Sequence, residues 1–197
     1  MSTFLRGLIP ATSADQVVGK RVYLRPPELR DWESWARLRA ESREFLVPWE
    51  PTWPRDVLTQ ASYRQRLRRY AEESRNDRGY AFFVLRKDDD AIVGGLNLSH
   101  VHRGVTQSSS LGYWVGKRFA RNGYISDAVQ AIIGYVFDGL GLHRLEAACV
   151  PTNEASRRLL TKVGFTQEGY AREYLRINGE WRDHLLFSYL STDPRPE

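Results

Sequence analysis

Apolar and polar positions along the 197-residue chain change period several times, and each change marks an element. In VGKRVYLRPPE, Val22 and Leu24 alternate with polar neighbours and the run ends at two prolines, which predicts a first strand. Leu29, Trp32, Trp35, Ala36, Leu38 and Arg39 then fall near helical spacing. Asp31 and Glu33 stand early in that predicted helix, where carboxylates complement the dipole. The prolines of FLVPWEPTWP break it, and residues 55 to 74 read as a second, polar helix. YAFFVLR and AIVGGLNLSHVH, separated by the acidic turn DDD, predict an antiparallel hairpin.

The second half is more regular. SSSLGYWVG predicts a strand that feeds through KRFARNG into a helix over residues 122 to 137. That helix buries Ile125, Ala128, Val129, Ile132, Ile133 and Val136 on one face and stops at Gly139 and Gly141. RLEAACV predicts the next strand, followed by a helix that Asn153 caps and Gly164 ends. Phe165 opens a final pair of strands turned at Asn178 and Gly179, a strong hairpin signal. The expected fold is mixed α/β, a mostly antiparallel sheet flanked by helices. The expected organisation is one domain over residues 1–197, with residues 1–19 an N-terminal extension and 191–197 a tail.

Composition narrows the function classes. Hydrophobic residues at 42% and charged residues at 27% are ordinary for a globular chain and argue against disorder. No run approaches the roughly 20 apolar residues of a membrane span, and the first residues lack a secretory signal pattern. A cytoplasmic protein with no membrane partner is expected. Cys149 is the only cysteine, which excludes an internal disulfide and, with four scattered histidines, leaves no zinc spacing, so no metal is expected. The net charge of +5 favours anionic partners, with basic residues dense in RQRLRRY and around Lys117, Arg118 and Arg121. A nucleic-acid-binding module would explain that charge, but direct nucleic-acid binding is not the expected role.

Three constellations carry chemistry. Residues 118 to 123 lie between a strand and the first turn of an amphipathic helix, where free backbone N–H groups and the dipole attract anions. Asn153 and Ser156 open the following helix, as a cap and as a hydroxyl one turn in. Glu168 and Glu173 lie five apart on a predicted strand, so alternation would aim them to opposite faces. Trp49, Glu50 and Trp53 sit in the proline-stiffened loop, where two aromatics and an acid suit an ammonium group or anchor the loop.

Several of these words resemble one family. Arg118 to Gly123 is similar to the acyl-CoA-binding loop of the GNAT superfamily, with Arg121 standing where the family usually has Gly. REFLVPWEP, LGYWVG, HRLEA, PTNEAS, LLTKVGFTQEGYARE and INGEWRDHLLFS resemble, in order, segments of the RimJ/RimL type that acetylates ribosomal-protein N-termini. The resemblance implies the GNAT acyl-CoA N-acyltransferase fold, acetyl-CoA as co-substrate and an acceptor protein N-terminus, with a ribosomal protein as the candidate acceptor. A small amine such as an antibiotic, polyamine or amino acid is the alternative acceptor, and an acyl-CoA sensor without catalysis the alternative role. It implies cofactor contacts from Trp114, Val115, Gly116, Arg118, Arg121, Asn122, Gly123, Tyr124, Asn153 and Ser156. Ser156 matches the hydroxyl that protonates the leaving thiolate, and Glu173 the general base, with Glu168 as runner-up. Trp49, Glu50 and Trp53 fall where this type closes over its acceptor.

Overall fold

The structure is a computed structural model and describes residues 16–195. Its strands are β1 (Val17–Val18), β2 (Val22–Arg25), β3 (Tyr80–Arg86), β4 (Ile92–His102), β5 (Ser108–Val115), β6 (Arg144–Cys149), β7 (Thr166–Ile177) and β8 (Glu180–Leu190). They form one sheet in the order β1-β2-β3-β4-β5-β6-β8-β7, antiparallel except for the β5–β6 pair. Helices α1 (Trp32–Glu41), α2 (Arg43–Leu46), α3 (Gln60–Arg75), α4 (Tyr124–Gly134) and α5 (Glu154–Val163) complete the mixed α/β fold.

Residues of α1 and α3 cover one face of the sheet and residues of α4 and α5 the other. Strand β3 is therefore apolar at successive positions, because both its faces are buried. Phe83 and Leu85 join Trp35, Leu38 and Tyr63 on one side, and Phe82 and Val84 join Val129, Ile132 and Leu160 on the other. The stripe read on α4 is buried as its spacing requires, with Ala128, Val129 and Ile132 at 0% exposure.

Three boundaries differ from the pattern's prediction. Helix α4 ends at Gly134 and the chain continues as a π turn over Tyr135–Gly139, where Leu140 N–H donates to Tyr135 O at 2.8 Å. The polar helix begins at Gln60, after Thr59 caps it by accepting from Ser62 N–H. Val17 and Val18 pair with Leu24 and Tyr23, so the sheet starts inside the span read as an extension. Residues 1–15 of that extension, and residues 196 and 197 of the tail, lie outside the described residues. Among the described residues no helix is long and apolar enough to cross a membrane.

One carboxylate fastens the sheet's first strands to α4. Asp127, in the first turn of α4 and buried, accepts from the backbone N–H of Lys20 at 2.8 Å, Arg21 at 2.6 Å and Val22 at 3.1 Å. A Cβ on Gly19 would stand 2.8 Å from its Oδ1, so the turn between β1 and β2 closes directly onto the carboxylate. Removing it leaves three amides without their acceptor. We predict that Asp127→Ala lowers the unfolding free energy by about 3 kcal/mol, read by urea titration. A loss below about 1 kcal/mol, the net worth of one ordinary hydrogen bond, would show that the turn finds other partners.

Candidate active site

β5 and β6 pair over a short register. Ser108, Ser109, Ser110 and Leu111 face Arg144, Leu145, Glu146 and Ala147. Beyond it the strands part: Gly112 to Val115 stay bonded to β4, while Ala148 and Cys149 stay bonded to β8. The edge of β5 facing the gap offers backbone N–H and C=O groups that the sheet does not use. Such an edge can take an extended chain carrying amides. Trp114 and Val115 lie on this free limb and Gly116 ends it.

The limb is held from its other side. A Cβ on Gly116 would stand 2.4 Å from Leu38 Cδ1, so only glycine lets the chain lie this close to α1. Gly116 N–H donates to Val93 O at 2.9 Å, and Lys117 N–H to the buried Ser42 Oγ at 2.9 Å.

The chain then makes a short 3₁₀ turn, Lys117–Phe119, and enters α4 through Gly123, whose φ is +79°. No side chain caps α4, so its first-turn amides remain available to an anion. Helix α5 differs: Asn153 Oδ1 accepts from Ser156 N–H at 3.1 Å. Lys117, Arg118 and Arg121 surround the α4 entrance as read. Two cations come from elsewhere in the fold. Arg21 donates to Asn122 O at 2.7 Å and lies 5.1 Å from the Tyr124 ring centre, and Arg86 reaches Tyr124 Oη at 3.4 Å. Glu41, 3.6 Å from Arg118, offsets part of that charge.

Arg121 sits at φ +63°, a left-handed conformation that costs a side-chain-bearing residue about 1–2 kcal/mol. An arginine amide serving this loop at negative φ, the simplest accommodation of the missing glycine, is not what the chain adopts. The backbone keeps the glycine-like shape and the arginine bears the strain.

Across the gap, Tyr113 Oη and Ser156 Oγ lie 2.7 Å apart, joining β5 to α5. Burial raises the Tyr113 phenol above its ordinary pKa, so it stays protonated. Burial also pushes the Cys149 thiol up, while a hydrogen bond from Ser156 opposes the shift. The serine hydroxyl therefore lies against a phenol and influences a thiol.

The two carboxylates part company. Glu168 forms an ion pair with Arg144, which together with Ser188 holds its pKa down to about 2. Arg144 starts β6, so this ion pair draws the Glu168 carboxylate toward the paired end of β5 and β6 and away from the gap. Glu173 lies near Ala171, which pairs with His184, one residue from the Leu185 that faces Cys149. This is the end where the strands part. Strand alternation does not relate the two acids, because β7 carries irregularities between Gln167 and Gly169 and between Ala171 and Leu175. Glu173 itself has φ +47°, its amide donating to Asp183 Oδ1 at 2.8 Å and its side chain exposed.

In the proline-stiffened loop, the acid and one aromatic anchor the chain. Glu50 is not free for an ammonium group: Arg39 donates to both its oxygens at 2.7 and 2.6 Å, and Trp53 Nε1 to one at 2.7 Å. The Arg39 guanidinium lies over the rings of Trp53 at 4.2 Å and Trp114 at 4.9 Å. Trp53 is partly buried in this stack, and Trp49 is the exposed aromatic. Glu50 O accepts from Asn178 N–H at 2.9 Å, which ties the loop to the β7–β8 turn.

Sequence reasoning passed over Tyr113, Arg39 and His184. His184 is buried at the same end of the sheet, and its Nδ1 lies 2.9 Å from Arg182 O. A carbonyl only accepts, so Nδ1 carries a proton there. Tyr113 stood inside the word LGYWVG beside residues singled out for their amides, yet its partner is 43 positions away. Among the described residues no three His, Cys, Asp or Glu side chains gather to hold a metal.

The acetyltransferase (GNAT) domain family matches residues 21–166. The chain is 34% identical over 170 residues to the [ribosomal protein uS5]-alanine N-acetyltransferase of Escherichia coli, covering 85% of this chain and 88% of that one. The structure of Mycobacterium smegmatis RimJ in complex with CoA-disulfide superposes with a TM-score of 0.86 at 33% identity, over 91% of this chain and 88% of that one. The ribosomal-protein-S5-alanine acetyltransferase of Vibrio fischeri gives 0.83 at 30%, over 92% and 99%.

The strain at Arg121 is measurable. Arg121→Gly removes about 1–2 kcal/mol of left-handed cost and adds about 0.5–1 kcal/mol of unfolded-chain entropy. A net gain of about 0.5–1 kcal/mol should raise the melting temperature by ~1–4 °C. A lower melting temperature would mean that the arginine side chain makes a compensating contact.

Proposed function

The chain belongs to the GNAT family of acetyltransferases and uses acetyl-CoA to acetylate an amine; we propose that this amine is the N-terminal α-amine of a protein, with ribosomal proteins as the acceptor class. One observation carries the reading: a relative aligned over 85% of this chain acts, by its name, on the alanine N-terminus of ribosomal protein uS5. The described residues work as one domain, and the cytoplasm is the proposed location.

Acetyl-CoA supplies a thioester carbonyl open to attack and a thiol that can leave. The free limb of β5 pairs with its extended arm beside Trp114, and the amide at Val115, on the edge that β4 does not use, faces the carbonyl oxygen, where negative charge develops. Gly116 keeps the limb flat against α1. The α4 entrance, with Arg118, Arg121, Asn122, Gly123 and Tyr124, receives the phosphates. Asn153 fixes the first turn of α5, and with it Ser156. The seating is supported by the edge the strands leave unused and by the uncapped amides at α4.

Glu173 takes the proton that the amine must lose, and Ser156 protonates the leaving sulfur. Trp49 lines the acceptor side, with Glu50 and Trp53 holding the loop behind it. An α-amine of pKa about 7.7–8.0 is ~10% neutral at pH 7, against ~0.04% for a lysine amine near 10.4, so an exposed carboxylate is base enough. Transfer is direct, without an acyl-enzyme. The only cysteine is buried and its thiol pKa raised, which makes it a poor nucleophile.

Following free thiol with acetyl-CoA and matched acceptors tests the reading. Alanine-initiated peptides should turn over, and N-blocked lysine peptides and small amines should be at least tenfold slower, in line with that difference in neutral amine. Turnover confined to small amines would reject the protein acceptor. Ser156→Ala and Glu173→Gln should each cost ~10²-fold or more in kcat, the usual worth of an acid or base, whereas Glu168→Gln should stay within about twofold.

A further inference from the structure

The geometry points to Tyr113 as a positioning residue that donates its phenolic hydrogen to Ser156 Oγ and so turns the serine's own proton toward the departing sulfur. The inference rests on the reading of Ser156 as the acid and goes beyond it by saying what makes that hydroxyl directional.

A serine hydroxyl has one hydrogen and two lone pairs, and its hydrogen rotates to suit whatever surrounds it. Unconstrained, it would donate to any nearby acceptor, and an acid must instead present its proton where charge appears. Tyr113 Oη lies 2.7 Å from Ser156 Oγ, and among the described residues Ser156 is its hydrogen-bond partner. Donation from the phenol satisfies its hydrogen and occupies one serine lone pair. The serine hydrogen must then point elsewhere. The other near group is a sulfur, the Cys149 thiol, whose acidity Ser156 increases. With the phenol on one lone pair, the hydroxyl is left to serve a sulfur entering the gap between β5 and β6.

The orientation is fixed at both ends. Asn153 holds Ser156 through its amide at 3.1 Å, and Tyr113 stands on the free limb of β5, paired with Leu96 of β4. Desolvation keeps the phenol protonated, so it remains a donor through the cycle and does not itself supply the transferred proton. In the step, the neutral amine bonds to the carbonyl carbon and loses one proton to Glu173. The carbon–sulfur bond breaks with its electron pair going to sulfur, and Ser156 gives its proton to that sulfur. The phenol hydrogen bond steadies the serine oxygen while it is deficient. The proton on Glu173 returns to Ser156 through solvent, leaving an amide, a free thiol and both residues restored.

The test is a double-mutant cycle on the full chain with acetyl-CoA and an alanine-initiated peptide. Tyr113→Phe keeps the ring and removes the donor. It should lower kcat at least tenfold while leaving KM for acetyl-CoA within about twofold, a split expected of an interaction made only in the transition state. In a Ser156→Ala background the same change should cost less than about twofold, because Tyr113 acts through the serine. Additive losses, or an unchanged kcat in the single variant, overturn the role of Tyr113 and leave Ser156 intact. A Ser156→Ala variant with unimpaired kcat overturns the acid assignment itself. The two failures are therefore distinguishable. Melting curves of Tyr113→Phe within a few degrees of the parent exclude misfolding as the cause.

Discussion

The whole site depends on two parallel strands that stop pairing. Past Leu111 and Ala147, β5 and β6 each keep a single sheet partner, and the backbone between them is left with hydrogen-bonding capacity in the interior of a domain. Unused donors and acceptors are costly where water is scarce, so the gap has affinity for an extended chain before any side chain is considered. Everything else is arranged around that opening. The chain leaves β5 into the α4 entrance and leaves β6 into α5, so both helices begin at the open end and aim the positive ends of their dipoles there.

Keeping the opening in shape requires braces on both sides. Asp127 binds the amides of residues 20 to 22 and thereby fixes the first turn of α4 against β2. Leu38 and Ser42 hold Gly116 and Lys117 from α1 and the residue after it. The two sets of contacts act on opposite faces of the sheet. The loop between them can therefore carry a residue as poorly suited to its conformation as Arg121, because its surroundings determine its path.

The elements that periodicity controls were legible in the sequence. The α4 stripe and the Asn178–Gly179 turn, with φ of +46° and +88°, follow from local spacing and turn chemistry. The strand, glycine and helix start at the α4 entrance were legible for the same reason. What could not be read was partner choice across long separations. Nothing near Glu50 in sequence says that Arg39 will take its carboxylate, or that Arg144 will take that of Glu168, 24 positions away. The face occupied by Glu173 was also beyond reach, since parity along a strand holds only until an irregularity resets it, and β7 has two.

The stack of Trp114, Arg39 and Trp53 over Glu50 bears on how an acceptor is chosen. Arg39 is buried, and among the described residues Glu50 is the carboxylate that balances its charge. Swinging the loop outward would strand that cation, at a cost of about 3–5 kcal/mol for a buried pair losing one member, and would also break the tie from Asn178. The loop is thus a fixed jamb rather than a door. On the proposed reading, an acceptor would meet this wall already set and be admitted by its outline on arrival.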